Sequence, residues 1–237
     1  MKKVICLGDS ITYGRVGASY FRMLKAEFPK NAEFINKGIN GNLTYDVLKR
    51  LDEVVKLQPD ILTLLFGTND VWATHSESVS RAYIKRNKLH ETPTKQSFER
   101  NLVKILQKLK TETNAFIAVM SLPLITEDPQ HVLFKRTIEY SEVIKDIAAK
   151  LSVFYIPVSE AQKEYLKQTA AKPKLPQEVS WGLTMKAIFK RKLFRESYDK
   201  ISEKNGFLLT IDGVHPNNTG AEIIKDCVAK FLKDHLS

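Results

Sequence analysis

Four short segments of the chain hold residue types that can carry out acyl transfer. Ser10 offers a hydroxyl nucleophile, while Asn69 and Gly41 offer a side-chain amide and a backbone N–H to an oxyanion. Near the C-terminus, His215 follows Asp212 by three residues, which suits a base and the carboxylate that orients it. A serine hydroxyl is a weak nucleophile near neutral pH and needs such a base within hydrogen-bonding reach. These residues predict serine-dependent hydrolysis of carboxylic esters through an acyl-enzyme intermediate.

The same residue types also occur in ordinary turns and caps. Asp and Ser residues, as at positions 8–10, often cap helices, and Asn-Asp pairs form turns. Among the five histidines, His215 alone lies in a compact polar loop ahead of a predicted helix, with a carboxylate three residues earlier and a proline directly after it. An alternative from a different class is a flavodoxin-like protein that binds a phosphate or a sugar through the loops at 8–10 and 38–41 and hydrolyses nothing.

Three motifs give the chain a recognisable resemblance. GDSIT at residues 8–12, GTND at 67–70 and DGVHPN at 212–217 occur in the order found in the GDSL, or SGNH, serine hydrolases. The chain resembles this family of esterases, lipases and acylhydrolases from residue 4 to about residue 235. The segment around Gly41 departs from the family pattern at Leu43, where a small hydroxyl residue is expected.

The resemblance assigns a role to each of the candidate residues. It implies a catalytic triad of Ser10, Asp212 and His215, and an oxyanion hole made by Ser10, Gly41 and Asn69. We predict no cofactor and no metal ion, because the sequence has no CxxC pair, no His-rich spacing and no P-loop.

Short apolar runs alternate along the chain with segments of helical spacing. Most of the runs lack polar alternation, which is typical of strands covered on both faces. The predicted strands are at residues 4–7, 33–37, 61–66, 116–120 and 153–158, and the predicted helices at about 17–28, 44–57, 95–112, 134–150 and 219–235.

This alternation predicts an α/β fold: a three-layer α/β/α sandwich around a five-stranded parallel sheet. In the flavodoxin-like (SGNH hydrolase) strand order 2-1-3-4-5, the first strand lies between the second and the third. Ser10, Gly41 and Asn69 would then lie side by side at the carboxyl edge of the sheet.

Length and composition favour one domain, residues 1–237, with a basic insertion at about 160–205. The formal net charge is +10, and residues 161–205 hold eleven Lys or Arg against five Asp or Glu. The two cysteines, at positions 6 and 227, and a start that lacks the pattern of a signal peptide lead us to expect a cytoplasmic protein. No nucleic-acid partner is expected, because the basic residues belong to no reader motif.

The predicted insertion contains apolar and basic residues in alternation, chiefly within 181–195. Three interpretations remain open for it: a lid over the core, a positively charged cleft for an anionic or lipid-like ester, and weak, reversible contact of the 181–195 segment with a membrane surface. The segment 71–94, which directly follows the predicted oxyanion donor Asn69, is expected to be a second loop that borders the site and sets the specificity for a small-molecule ester.

Overall fold

A five-stranded parallel sheet lies at the centre of the computed structural model, which describes residues 1–30, 32–171, 173–176 and 179–236. The strand order is β2-β1-β3-β4-β5, and every neighbouring pair is parallel. The strands are β1 (Lys2–Gly8), β2 (Ala32–Gly38), β3 (Ile61–Leu65), β4 (Phe116–Met120) and β5 (Phe154–Ile156). The predicted strand order is therefore confirmed.

Both faces of the sheet are covered by helices, which explains the unbroken apolar runs. In β3, Leu62 and Leu64 pack into one hydrophobic cluster, and Ile61 and Leu65 pack into a second cluster on the opposite face. All five residues of β3 are buried. Such a strand has no solvent face and needs no polar alternation. The predicted three-layer α/β/α architecture is confirmed.

Helices connect the strands and cover the sheet. In chain order they are α1 (Ser10–Tyr13), α2 (Tyr20–Glu27), α3 (Thr44–Lys49), α4 (Leu51–Val55), α5 (Thr68–Ala73), α6 (Glu77–Asn87), α7 (Lys95–Glu112), α8 (Val132–Lys150), α9 (Val158–Gln168), α10 (Trp181–Phe194), α11 (Tyr198–Asn205) and α12 (Asn218–His235). Among the helices in the described part of the chain, none is both long and apolar enough to cross a bilayer.

Two predictions about local structure were wrong. The expected helix at 44–57 is interrupted at Arg50, whose guanidinium donates at 3.0 Å to the carbonyls of Gly8 and Lys37. Arg50 therefore links the ends of β1 and β2, and it lies at the break between α3 and α4. The segment 71–94 is largely helical, because it contains the second half of α5 and all of α6. Ser76 caps α6 by accepting a hydrogen bond from the Val79 N–H.

The predicted insertion at 160–205 contains three helices in its described part. The first, α9, packs against α12 and belongs to the main layer of helices. Helices α10 and α11 pack against each other, and Ala187 and Ile201 form a small cluster with Ile211, next to Asp212. Residues 172, 177 and 178 of this predicted insertion lie outside the described residues.

Candidate active site

The predicted catalytic residues lie within hydrogen-bonding distance of one another. The Ser10 Oγ is 3.0 Å from the Nε2 of His215, although 205 positions separate the two residues. The other ring nitrogen, Nδ1, is 2.8 Å from the Asp212 Oδ2. A hydroxyl, an imidazole and a carboxylate thus form a continuous chain in which a proton can move from the hydroxyl to the ring.

Local hydrogen bonds fix the loop that carries the imidazole. The Oδ1 of Asp212 accepts hydrogen bonds from the backbone N–H groups of Val214 and His215, at 3.0 and 2.8 Å. An antiparallel bridge between Thr210 and Pro216 closes the loop. The Oδ1 of Asp212 therefore binds the loop backbone, while its Oδ2 binds the His215 ring.

A second carboxylate, which sequence reasoning missed, supports the segment before this loop. The buried Glu127, in the connection after β4, accepts hydrogen bonds from the backbone N–H groups of Leu208, Leu209 and Thr210, at 2.7, 2.8 and 3.2 Å. Burial raises the pKa of Glu127 despite these bonds. Glu127 therefore positions the histidine loop from a distance of more than eighty residues along the chain.

The electrostatics of Asp212 and His215 favour a basic imidazole. Burial alone would lower the pKa of His215, but the adjacent Asp212 carboxylate outweighs it and raises the pKa above its usual value. For Asp212 the pKa is lowered, because the His215 charge and hydrogen bonds outweigh the effect of burial. Each group therefore stabilises the charged form of the other, as an imidazolium intermediate requires.

The three predicted oxyanion donors meet at one pocket at the carboxyl edge of the sheet. Ser10 begins α1 directly after β1, Gly41 lies in the turn after β2, and Asn69 lies in the first turn of α5 after β3. Gly41 has a φ of +72°, which only glycine adopts without strain, and Gly67 before α5 has a φ of +122°. The strand order brings these three distant residues together.

The Asn69 side chain is held by three hydrogen bonds. Its Oδ1 accepts a bond of 2.7 Å from the Tyr83 hydroxyl. Its Nδ2 donates to the Asn42 carbonyl at 3.0 Å and to the Asp9 Oδ2 at 3.3 Å. The bond from Tyr83 fixes which end of the amide carries the two N–H donors.

Helix α6 also fastens the Gly41 turn. Arg86 donates to the Asn40 carbonyl at 3.3 Å, and Asn87 donates to the Gly41 carbonyl at 3.0 Å. A Cβ at position 41 would lie 1.2 Å from the Arg86 guanidinium, which shows how closely α6 covers this turn. The sequence predicted that the 71–94 segment borders the site, but it did not predict these contacts.

Two further carboxylates of the motifs stabilise loops. Asp9 caps α1 by accepting the Ile11 N–H at 3.0 Å, and burial raises its pKa to about 6. Asp70 accepts the hydroxyl of Thr44 at 2.6 Å and its N–H at 3.0 Å, and burial raises its pKa to about 7. Because Leu43 cannot cap α3 with its side chain, Asp70 supplies the cap from the first turn of α5.

The site opens into a pocket of about 270 Å³. Its polar floor includes Ser10, Asn69 and His215. Apolar residues also line it, among them two tryptophans and three residues of α10: Val16, Trp72, Val179, Trp181, Met185 and Ile188. The rings of Trp72 and Trp181 meet edge to face with centroids 6.1 Å apart, so α5 and α10 touch at this pocket. Among the described residues, no group of three or more His, Cys, Asp or Glu could hold a metal ion.

Comparisons with known proteins point to the same protein family as the sequence motifs. The model of the GDSL-like Lipase/Acylhydrolase family matches residues 6–223. An acetylxylan esterase of Geobacillus stearothermophilus is 25% identical over 185 residues, which cover 70% of this chain and 80% of that protein. An uncharacterized lipoprotein, YqeF, of Bacillus subtilis (strain 168) is 24% identical over 195 residues, which cover 71% and 74%.

Solved structures share the fold over nearly the whole chain. The acetyl xylan esterase AlAXEase aligns with a TM-score of 0.67 at 22% identity, over 97% of this chain and 99% of that one. Axe2, the acetylxylan esterase from Geobacillus stearothermophilus, aligns with a TM-score of 0.67 at 21% identity, over 98% and 93%. Because the family model spans most of the sequence, this chain belongs to the GDSL-like lipase/acylhydrolase family and is a hydrolase of ester bonds.

Proposed function

We propose that the protein hydrolyses carboxylic esters in two steps, with Ser10 as the nucleophile. Ser10 Oγ attacks the acyl carbonyl while the Nε2 of His215 takes its proton, and His215 then protonates the leaving alcohol. Water attacks the acyl-enzyme with His215 again as the base, which releases the acid and restores the serine. The observation that supports this most is the unbroken chain from Ser10 through His215 to Asp212, at 3.0 and 2.8 Å.

In this mechanism the oxyanion accepts hydrogen bonds from the Ser10 and Gly41 N–H groups and from the Asn69 amide. All three residues line the pocket that contains the Ser10–His215 pair. Each such donor contributes about 3 kcal/mol in the transition state, which corresponds to a rate factor on the order of a hundred.

Substitution of the nucleophile tests the proposal. Ser10→Ala should lower the hydrolysis of p-nitrophenyl acetate by at least about 10⁴-fold, because the acyl-enzyme can no longer form. Circular dichroism should show an unchanged fold. Ser78→Ala, at an exposed position early in α6, removes the same hydroxyl away from the triad and should retain activity. Turnover by Ser10→Ala at the wild-type rate would remove Ser10 from this role.

Covalent labelling separates this proposal from a non-catalytic phosphate- or sugar-binding protein. A fluorophosphonate should add to Ser10 of the wild-type protein, as seen by intact mass, because His215 activates the hydroxyl. His215→Ala should label far more slowly. A protein that only binds its ligand would not be labelled at Ser10, either in the wild type or in His215→Ala.

The pocket supports an ester with a short acyl group. A volume of about 270 Å³ is at the small end for ligand pockets, and two of the relatives compared above are acetylxylan esterases. We propose acetyl and similar short acyl esters of small alcohols as substrates. The value of kcat/KM should fall from acetyl to octanoyl esters of the same alcohol, and a steady rise with chain length would contradict the proposal.

An anionic group on the substrate remains part of the proposal. The exposed Arg86 lines the pocket and lies over the Tyr83 ring at 5.4 Å. An exposed charge pair is worth about 1 kcal/mol or less, so any preference for a hemisuccinate over a neutral ester should be at most about fivefold. Arg86→Gln should abolish that preference.

Cytoplasmic residence is likewise proposed. Its support is that Cys6 and Cys227 are both free thiols, which suits a reducing compartment. Fractionation of cells that express the full chain tests this, and recovery in an exported fraction would overturn it.

A further inference from the structure

Helix α10 exposes a line of large apolar side chains that the proposed chemistry does not use. Trp181, Met185, Phe189 and Leu193 follow one another at intervals of four residues, so they share one side of the helix. We call these four residues the apolar stripe. Between 48% and 64% of each of these residues is exposed. A monomeric soluble protein rarely leaves so many large apolar groups together in water.

The opposite side of α10 already packs against the protein. Thr184 and Ala187 are buried, and Ala187 packs with Ile201 and Ile211. The helix is therefore apolar on two sides, and only one of them is covered. A helix of this kind normally has its second side covered as well.

The charge of α10 indicates what covers it. Residues 181–195 contain five basic residues and no acidic residue: Lys186, Lys190, Arg191, Lys192 and Arg195. Lys186 and Lys192 are exposed, and at 100° per residue they project from the same side as the apolar stripe. Glu196, which follows the helix, is paired with Lys204. The exposed side of α10 therefore combines apolar and positive groups.

A second copy of the chain is a poor partner for this face. Two stripes packed against each other would bring Lys186 and Lys192 of one copy close to the same residues of the other, and like charges in contact are unfavourable. An anionic lipid surface satisfies both features, because the apolar side chains enter the headgroup region and the lysines meet lipid phosphates.

We propose that α10 docks the protein on anionic membrane surfaces through the apolar stripe, Lys186 and Lys192. Trp181 and Met185 belong to the stripe and also line the catalytic pocket. Docking therefore places the mouth of the pocket next to the lipid surface. This inference does not depend on the catalytic mechanism, and Ser10→Ala should dock as well as the wild type.

Sedimentation with vesicles of phosphatidylglycerol and phosphatidylcholine, against vesicles of phosphatidylcholine alone, tests the proposal. The wild type should sediment with the anionic vesicles at low salt. It should sediment much less at 0.5 M salt, because the Debye length there is only about 4 Å and the charges are screened. The emission of Trp181, which lies on the stripe, should shift to the blue on docking. Absence of binding to either vesicle, or equal binding to both, would overturn the proposal.

Two pairs of substitutions probe the charged and apolar parts of the face. Each lysine near an anionic surface contributes about 1 kcal/mol, or about fivefold, so Lys186→Glu with Lys192→Glu should weaken binding by at least about 25-fold. The pair Lys104→Glu and Lys145→Glu makes the same change of net charge on exposed residues of α7 and α8. If this control pair weakened vesicle binding as much as Lys186→Glu with Lys192→Glu, only the total charge would matter, which contradicts docking through α10.

The apolar pair is Phe189→Ser with Leu193→Ser, neither of which lines the pocket. It should weaken binding by about tenfold or more, while Val132→Ser, on the exposed start of α8, should not. Circular dichroism and hydrolysis of a soluble acetyl ester verify that the variants are folded. If sedimentation velocity without lipid shows that the apolar pair splits a dimer, the face is an interface between copies and the lipid proposal is wrong.

Discussion

The histidine loop and helix α10 border the same pocket but are held in place by different forces. The loop is buried, and the Asp212 and Glu127 carboxylates accept hydrogen bonds from its backbone and from the backbone just before it. Helix α10 has no side-chain hydrogen bond at its N-cap, Ser180. Apart from the hydrogen bond of its Thr184 to Asp212, it packs through small apolar contacts such as that of Ala187 with Ile211.

This difference separates two requirements of an enzyme. Proton transfer needs atoms placed within a few tenths of an ångström, which a network of directional hydrogen bonds provides. Contact with a substrate or a surface tolerates looser placement, which apolar packing provides. We therefore expect substitutions in the loop to affect kcat strongly and substitutions in α10 to affect mainly KM and binding.

After Ser10→Ala, the largest effect should come from Asp212→Asn in the histidine loop. An amide at this position can donate to His215 Nδ1 and leave the proton on Nε2, so the ring can no longer accept the Ser10 proton. We expect kcat for p-nitrophenyl acetate to fall by about 10³- to 10⁴-fold with little change in KM.

The control for this variant is Asp234→Asn, the same chemical change at an exposed position near the end of α12. It should leave kcat within about twofold of the wild type, in line with a surface substitution. A loss of less than tenfold in Asp212→Asn would show that the hydrogen-bonded loop is not essential for proton transfer.

The pH dependence should reveal the same charge coupling. His215 must be neutral to act as a base, and its pKa is raised because the Asp212 carboxylate outweighs burial. As the pH falls below that raised pKa, kcat/KM should drop about tenfold per unit, with a midpoint above about 6.5. In Asp212→Asn the midpoint of the residual activity should move to lower pH, because the charge that raises the pKa is gone. Rate profiles from pH 5 to 9 measure both midpoints, and an unmoved midpoint contradicts the coupling.

A smaller effect should follow from Tyr83→Phe. The Tyr83 hydroxyl holds the Asn69 amide at 2.7 Å, so its loss lets the amide leave the orientation that donates to an oxyanion. A neutral hydrogen bond is worth about 0.5–1.5 kcal/mol, so kcat should fall by roughly two- to tenfold while KM stays constant.

A double-mutant cycle distinguishes positioning from general destabilisation. In an Asn69→Ala background, Tyr83→Phe should have no further effect on kcat, because the amide it positions is absent. Tyr45→Phe, which removes an exposed hydroxyl that donates at 3.4 Å to the Lys88 carbonyl, is the matched control. Equal losses of kcat in both backgrounds would mean that Tyr83 does not act through Asn69.

Local sequence patterns predicted the parts of this site that depend on local structure. Ser10 and Asn69 each lie within four residues of the end of a buried strand, and the strand order places them at one edge. The close spacing of Asp212 and His215 makes their hydrogen bond nearly local. Apolar periodicity, turn chemistry and the rules of parallel sheets are sufficient for such features.

The supporting residues could not be predicted in the same way. Glu127 and Tyr83 act on residues in other elements, and a Glu in a connection or a Tyr in a helix has no local signature of such a role. The interruption at Arg50 is similar, because its guanidinium contacts carbonyls of two strands. Such contacts depend on how helices and loops lie over the sheet, which the packing of the whole chain decides.

The smallest effect on turnover should come from Trp181→Ala in α10. Trp181 is half exposed and meets the buried Trp72 edge to face, so it borders the pocket without touching the triad. We expect kcat for p-nitrophenyl acetate to stay within about threefold of the wild type. For a bulkier alcohol, KM should rise several-fold, because aromatic contacts are worth about 0.5–1.5 kcal/mol. Phe194→Ala, on the same helix but outside the pocket lining, should change neither constant. If Trp181→Ala instead lowered kcat as strongly as Asp212→Asn, α10 would be required to place the triad, and the separation between a hydrogen-bonded catalytic loop and an apolar contact helix would fail.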